Sequence, residues 1–332
     1  MEAVMSEEKS NGNIKLFSLN TNRPLAEKIA ASINIPLSPT TISTFADGEI
    51  AITIDESVRG DEVYVIQSIS DPVNSSFMQV MIMVDALRRA SAGEINVVLP
   101  YYGYARADRK ARPREPITAK LVANFLQIDG VDRVLTLDLH ADQVQGFFNI
   151  PVDHLLGAPL LAKYFYTNDL LDNIVVVAPD HAGVSRARNF AELLKAPIAI
   201  IDNRSEDEFD PEPDSVIGDV KGKTAVIIDD MIDTADRMTV SADILKASGA
   251  KDVYAVATHA VFSGRAAESL EQSKLTKVIV TDSIAVPAEK QFDKLAVISV
   301  ADLIGEAILR IHNNQPVDEL FISKQNPDVK LR

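Results

Sequence analysis

Residues 223–238 read Lys223-Thr-Ala-Val-Ile-Ile-Asp229-Asp230-Met-Ile-Asp233-Thr234-Ala235-Asp236-Arg237-Met238. The apolar, largely β-branched run Ala225 to Ile228 predicts a strand buried on both faces of a parallel sheet. It leads into two carboxylates, Asp229 and Asp230, then a short polar turn, then a helical pattern from Thr239. That order puts the acids at the carboxyl end of a strand, where open α/β sheets bind ligands. The turn Asp233-Thr234-Ala235-Asp236-Arg237 opens a helix whose free N–H groups can cradle a phosphate. Acids that accept hydrogen bonds from a sugar diol, set beside a phosphate nest, point to a ribose 5-phosphate site. The bland alternative is a buried strand that ends in a solvated acidic turn.

The 332-residue chain is long enough for two domains, and its 46% apolar and 24% charged residues are those of a globular protein. No apolar run approaches the ~18 residues that span a membrane. Residues 1–12 are polar and acidic, so they read as a disordered tail rather than a signal peptide. The absence of cysteine rules out disulfides, thiolate metal sites and a cysteine nucleophile, and a cytoplasmic location is expected. A net charge of −15 argues against nucleic-acid partners. An anionic substrate would then need a local basic patch, and Arg106 to Arg114 supplies five cations in nine residues. That run also reads as a solvated interface loop.

An internal echo organises the chain. Asp85 to Gly93 followed by Ile95 to Pro100, and Asp243 to Gly249 followed by Val253 to Thr258, each read as a helix closed by glycine and then a buried strand. Residues 62–69 precede the first unit as 224–230 precede the second, and the intervening first-half helix shows a core face at Phe77, Val80, Met81, Val84 and Leu87. Further strands are expected at 50–54 and 133–139 in the first sheet, and at 174–178, 198–202 and 277–281 in the second. Two α/β domains follow, residues 13–155 and 156–310, with a C-terminal segment at 311–332. The helical stretch Ala301 to Asn313 could pack on either half.

The motifs Phe45-Ala-Asp47-Gly48-Glu49, Arg88 to Gly93, Tyr101-Tyr-Gly-Tyr-Ala-Arg106, Arg114 to Lys120, Asp138-Leu-His140 and Gln145 to Phe148, together with the opening segment, resemble the ribose-phosphate diphosphokinase (phosphoribosyl pyrophosphate synthetase) family from about Ile14 to Phe321. The resemblance implies two tandem type I phosphoribosyltransferase-like domains, each a mostly parallel sheet flanked by helices, with an active site between them completed by a neighbouring subunit. It implies transfer of the terminal diphosphate of ATP to the C1 hydroxyl of ribose 5-phosphate, giving phosphoribosyl pyrophosphate and AMP. Phe45, Asp47, Gly48 and Glu49 would reach the adenine of an adjacent subunit, although the same residues read alone are an ordinary Asp-Gly turn. Arg106 and Ala107 would lie along ATP. His140 and Asp180 would hold Mg2+ against the ATP phosphates. A histidine ligand is unusual for magnesium, and alone His140 would be a satisfied strand-end histidine, the reading that His181 and His259 keep. Asp229, Asp230, Asp233, Thr234, Ala235, Asp236 and Arg237 would bind ribose 5-phosphate. A homo-oligomer, dimer to hexamer, is expected.

The chain departs from the family pattern at three places. Ala107 stands where the family has Gln after Arg106. After the strand 198–202 the family carries a cationic loop opening Lys-Arg-Arg, whereas this chain reads Asn203-Arg204-Ser205 and then six acids up to Asp214. Arg204 is the cation left to serve catalysis, and each missing donor would lower the rate by roughly 10²–10³. In the ribose-phosphate loop, Asp236 and Arg237 replace Gly and Thr. Two functional readings follow: a working synthetase for nucleotide biosynthesis, the one descent favours, or a catalytically impaired paralogue that binds or regulates an active synthetase in a mixed oligomer.

Overall fold

A computed structural model of the chain describes residues 12–202 and 215–320. The expected tail, the Asn203–Arg204–Ser205 segment with its acidic continuation, and the last twelve residues lie outside the described residues. The described residues divide into two compact units: residues 12–136, 143–153 and 304–317, and residues 137–142, 154–202, 215–303 and 318–320.

The first unit opens with β1 (Ile14–Ser18) and α1 (Arg23–Ser32), whose Pro24 suits the first helical turn because no intrahelical donor is needed there. The strands β2 (Thr40–Thr44) and β3 (Ile50–Ile54) follow, then β4 (Glu62–Ile66), α2 (Val73–Arg89), β5 (Glu94–Leu99), α3 (Thr118–Asp129), β6 (Arg133–Leu137) and β7 (Val152–Leu155). Five strands form one sheet in the order β1-β4-β5-β6-β7, and β1, β4, β5 and β6 pair in parallel. All of β4 is buried, as the continuous apolar character of a two-sided strand requires. The expectation that residues 50–54 join this sheet is corrected. β3 pairs antiparallel with β2 in a separate two-stranded hairpin, because five residues between the two strands close a hairpin directly.

On α2 the buried residues are Ser76, Gln79, Val80, Met83, Val84 and Leu87, while Phe77 and Met81 are only half-buried, so the core face is rotated from the expected one. The polar Ser76 and Gln79 belong to that face because they are satisfied there: Ser76 donates to the carbonyl of Ser70, and Gln67 donates to Gln79. The expected glycine stop of this helix is also refined. Ser91 takes the left-handed turn at φ 63°, whereas Gly93 serves close approach, since a Cβ there would lie 2.7 Å from the carbonyl oxygen of Gly60.

The second unit contains α4 (Ala158–Thr167), β8 (Ile174–Ala178), α5 (Val184–Leu194), β9 (Ile198–Asp202), β10 (Ser215–Ile217), β11 (Thr224–Ile232), α6 (Asp236–Ala247), β12 (Asp252–Ala260), α7 (Ala266–Gln272), β13 (Lys277–Thr281) and β14 (Leu295–Ile298). Its seven strands run β10-β9-β8-β11-β12-β13-β14, all parallel except the edge strand β10. Alternation along β11 sorts the core into two layers. Ala225 and Ile227 join Met238, Leu245 and Leu270 on the side of α6 and α7, and Val226 and Ile228 join Leu161, Phe165 and Phe190 on the side of α4 and α5. The last helix, α8 (Ala301–His312), belongs to the first unit from Ile304 onward, where His312 Nδ1 lies 2.8 Å from Oε2 of buried Glu62 and a Cβ on Gly305 would meet Ser32. The sequence had left its side open.

Strand order fixes a special place in the second sheet. From β8 the chain proceeds through α5 to β9 on one side, and from β11 through α6 to β12 on the other, with α5 and α6 on opposite faces. The gap between the carboxyl ends of β8 and β11 is therefore the topological switch point, the usual ligand crevice of an open α/β sheet.

Candidate functional site

β11 carries the acid pair into that crevice. Pairing with β8 stops at Ile227–Val177, while β11 runs on to Ile232 beside β12 alone. Asp229 and Asp230 thus lie inside the strand rather than after it, which corrects the expected boundary, and both are buried. The helix α6 likewise starts at Asp236, three residues before the expected Thr239. Ala235 reverses the chain into it at φ 74° and ψ −8°, a left-handed conformation of order 1 kcal/mol unfavourable for a residue with a Cβ. At this opening Thr234 Oγ1 donates to the Asp236 carboxylate at 2.8 Å.

Successive strand residues point to opposite faces, yet one guanidinium serves both acids. Arg186, in the first turn of α5, donates through Nη1 to Asp229 Oδ1 at 2.6 Å and places Nη2 3.1 Å from Asp230 Oδ1. Asp230 also lies 2.8 Å from Nδ1 of His140, and Asp229 Oδ2 accepts from Arg237 Nη1 at 3.2 Å. The same Arg237 nitrogen is ion-paired with Asp180 Oδ2 at 2.9 Å, and Asp180 Oδ1 accepts the N–H of Gly183 at 2.8 Å. His140, Asp180, Asp229, Asp230 and Arg237 are therefore joined in one network through Arg186 and Arg237.

The two buried acids titrate apart. Burial, reinforced by the charge of Asp230, pushes Asp229 up to about 6 despite its arginines. Burial opposes ionisation of Asp230 too, but the hydrogen bond from His140 and the charge of Arg186 outweigh it, so Asp230 sits well below the ordinary carboxylate range. One carboxylate held ionised beside one that titrates near neutrality is what a like-charged pair in a low-dielectric pocket adopts.

His140 is set by its neighbours on the chain. Asp138, at φ 37°, accepts the N–H of Gly157 at 2.9 Å and the Thr258 hydroxyl on its carboxylate, and its carbonyl accepts from His259 Nε2 at 3.0 Å. The N–H of Leu139 donates to His154 Nε2 at 2.9 Å. His259 is buried, as its bland reading requires, whereas His181 is an exposed residue paired with Asp202 at 2.9 Å.

The remaining expected residues belong to the first unit. Phe45 to Glu49 form the β2–β3 turn, closed by Phe45 N–H on the Glu49 carbonyl at 2.8 Å and by Gly48 at φ 96°. The Phe45 ring is 59% exposed, unusual for an aromatic group without a partner surface. Arg106 is exposed, and the carbonyl of Ala107 accepts the N–H of Ala119 at the start of α3 at 3.1 Å. Sequence reasoning missed Arg186. Its signal was a cation in the first turn of a helix that follows a strand and the turn residues Pro179-Asp180.

A family description for the N-terminal domain of ribose phosphate pyrophosphokinase matches residues 14–130, and one for the phosphoribosyl synthetase-associated domain matches residues 210–322. The chain is 62% identical over 317 residues (96% of this chain, 99% of the relative) to a protein of Lactiplantibacillus plantarum named, provisionally, ribose-phosphate pyrophosphokinase 2. It is 54% identical over 317 residues (96% and 100%) to the ribose-phosphate pyrophosphokinase of Bacillus cereus. The crystal structure of phosphoribosylpyrophosphate synthetase from Mycobacterium smegmatis superposes with a TM-score of 0.87 at 40% identity, covering 91% of this chain and 99% of that one.

The chain belongs to the ribose-phosphate pyrophosphokinase family. The expected fold class, two α/β units with parallel sheets flanked by helices, agrees with that membership. Among the described residues no helix is long and apolar enough to cross a membrane.

Proposed function

We infer that this protein is a ribose-phosphate diphosphokinase, transferring the terminal diphosphate of ATP to the C1 hydroxyl of ribose 5-phosphate. The observation that carries the reading is the acid pair at the switch point, gripped by Arg186 and followed at once by the left-handed Ala235 and the start of α6. The pair suits the hydroxyls of a ribose, and the helix start suits its 5-phosphate. Asp229 and Asp230 would accept from the sugar diol, with Asp233, Thr234, Ala235, Asp236 and Arg237 around the phosphate. The C1 oxygen then attacks the β-phosphorus of ATP, the bridging oxygen leaves with AMP, and the hydroxyl proton is lost. Cations that offset charge on the transferring group carry most of such a reaction. Arg106 beside Ala107, and Arg204, are the chain's candidates, and Phe45, Asp47, Gly48 and Glu49 are those for adenine.

The donor set suits magnesium that arrives with nucleotide. Among the described residues no group of three or more His, Asp or Glu side chains is placed to hold a metal ion by itself. Magnesium commonly takes one or two protein ligands and fills its shell with phosphate oxygens and water. His140 and Asp180 would be those two, and Nδ1 of His140 against the Asp230 carboxylate is the outer contact that orients a ligating imidazole. Bound there, the ion would neutralise the ATP phosphates.

A homo-oligomer and a cytoplasmic location are part of this reading, the first supported by the exposed Phe45 at a hairpin tip and the second by ATP as substrate. The test is AMP release from ATP, ribose 5-phosphate and magnesium by the purified chain. Turnover near one per second is expected of a working enzyme. Intact ATP binding without turnover would overturn the reading.

A further inference from the structure

We propose that Arg237 is a built-in cation that closes Asp180 and Asp229 in the resting chain, so that a divalent metal at Asp180 binds only as this guanidinium leaves. The inference rests on Asp180 being a metal ligand. One nitrogen, Nη1, spans Asp180 Oδ2 at 2.9 Å and Asp229 Oδ2 at 3.2 Å. The other oxygens are taken as well: Asp180 Oδ1 by the N–H of Gly183, and Asp229 Oδ1 by Arg186 and the N–H of Asp230. Each of the four carboxylate oxygens therefore has a partner, and on Asp180 Oδ2 that partner is Arg237. Unlike Arg186, whose side chain is 32% exposed, Arg237 is 57% exposed at the first turn of α6 and can return to water with little desolvation. Its charge matters more than its bulk, because the position it holds between two carboxylates is one that attracts any cation. Metal and guanidinium therefore compete for Asp180 Oδ2, and resting metal affinity is set by a residue that is not itself a ligand.

The probe is Mn2+ alone, titrated into the full chain without nucleotide and followed by the electron paramagnetic resonance of the free ion. Arg237→Thr and Arg237→Gln should each tighten Mn2+ binding roughly five- to tenfold, the factor for removing one partly screened competing charge. Arg237→Lys should stay near the parent value, because it keeps the charge. Asp180→Asn should weaken binding in the parent and in the Arg237→Thr background alike, with circular dichroism and melting confirming that each variant is folded. Unchanged or weaker binding in Arg237→Thr, with Asp180→Asn still weakening it, overturns the competition but leaves Asp180 as a ligand. Tightening by Arg237→Lys equal to that by Arg237→Thr overturns it too. Indifference to Asp180→Asn removes the metal reading and the competition together.

Discussion

Nδ1 of His140, a side chain 38% exposed, lies 2.8 Å from Oδ2 of Asp230, a side chain only 4% exposed. The exposed partner is the candidate ligand, and the buried one fixes its ring. Asp230→Ala should lower kcat/KM for phosphoribosyl pyrophosphate formation about 10- to 100-fold, the range for loss of an outer-shell carboxylate. Parallel loss of affinity for metal in the presence of ATP would separate this from damage confined to the sugar site. A rate within twofold of the parent would show that Asp230 has no such part.

Asp229 is expected to give the reaction an acid limb. Its carboxyl is pushed up to about 6 by burial and the neighbouring Asp230, and protonation removes the charge that strengthens the hydrogen bonds it accepts from sugar hydroxyls. Activity should rise through about pH 6 and level above it. Arg186 lowers the titration of both acids, so Arg186→Met should move this limb upward and destabilise the fold by roughly 2 kcal/mol, less than a fully buried pair because Arg186 is partly exposed. A pH–rate profile that is flat between pH 5 and 8 would contradict the assignment.

Two buried imidazoles set a stability limb. His154 accepts a backbone N–H and His259 donates to a carbonyl, and burial holds both below the ordinary histidine value. Below about 6.5 the unfolded chain binds protons that the folded chain refuses. Their contribution is thus complete above that pH and is lost as pH falls from there toward the folded values. The melting temperature should drop between pH 6.5 and 5, and His154→Gln, which keeps an acceptor, should flatten part of the drop.

Asn203, Ser205, Asp236 and Arg237 stand where the resemblance leads one to expect two cations, a glycine and a threonine. The combined change Asn203→Lys, Ser205→Arg, Asp236→Gly and Arg237→Thr should raise turnover by about 10² or more, because each restored donor of this kind is worth roughly 10²–10³. AMP release measures it, and no gain would show that these positions do not limit the rate.

Assembly through the hairpin tip is the next expectation. The chain should run as a dimer or larger at micromolar concentration by light scattering, and Phe45→Ala should raise KM for ATP more than it lowers kcat. A monomer with full activity would contradict a role for Phe45 on a neighbour.

The sequence by itself pointed to the parallel sheets, because a continuous β-branched apolar run such as Ala225 to Ile228 suits a strand covered on both faces. It also determined the family and the order of acid pair, turn and helix, which are local along the chain. Only the tertiary structure decided which cations meet those acids. Arg186 lies 43 residues from Asp229, and His140 lies 90 from Asp230, distances that no periodicity spans. Strand order, which places β8 beside β11, brought Arg186 to Asp229 and let Arg237 reach from α6 to Asp180. The hairpin of β3 and the rotated face of α2 escaped the sequence for the same reason. An apolar strand fits a sheet or a hairpin equally, and a polar residue such as Gln79 reads as exposed until its buried partner is known.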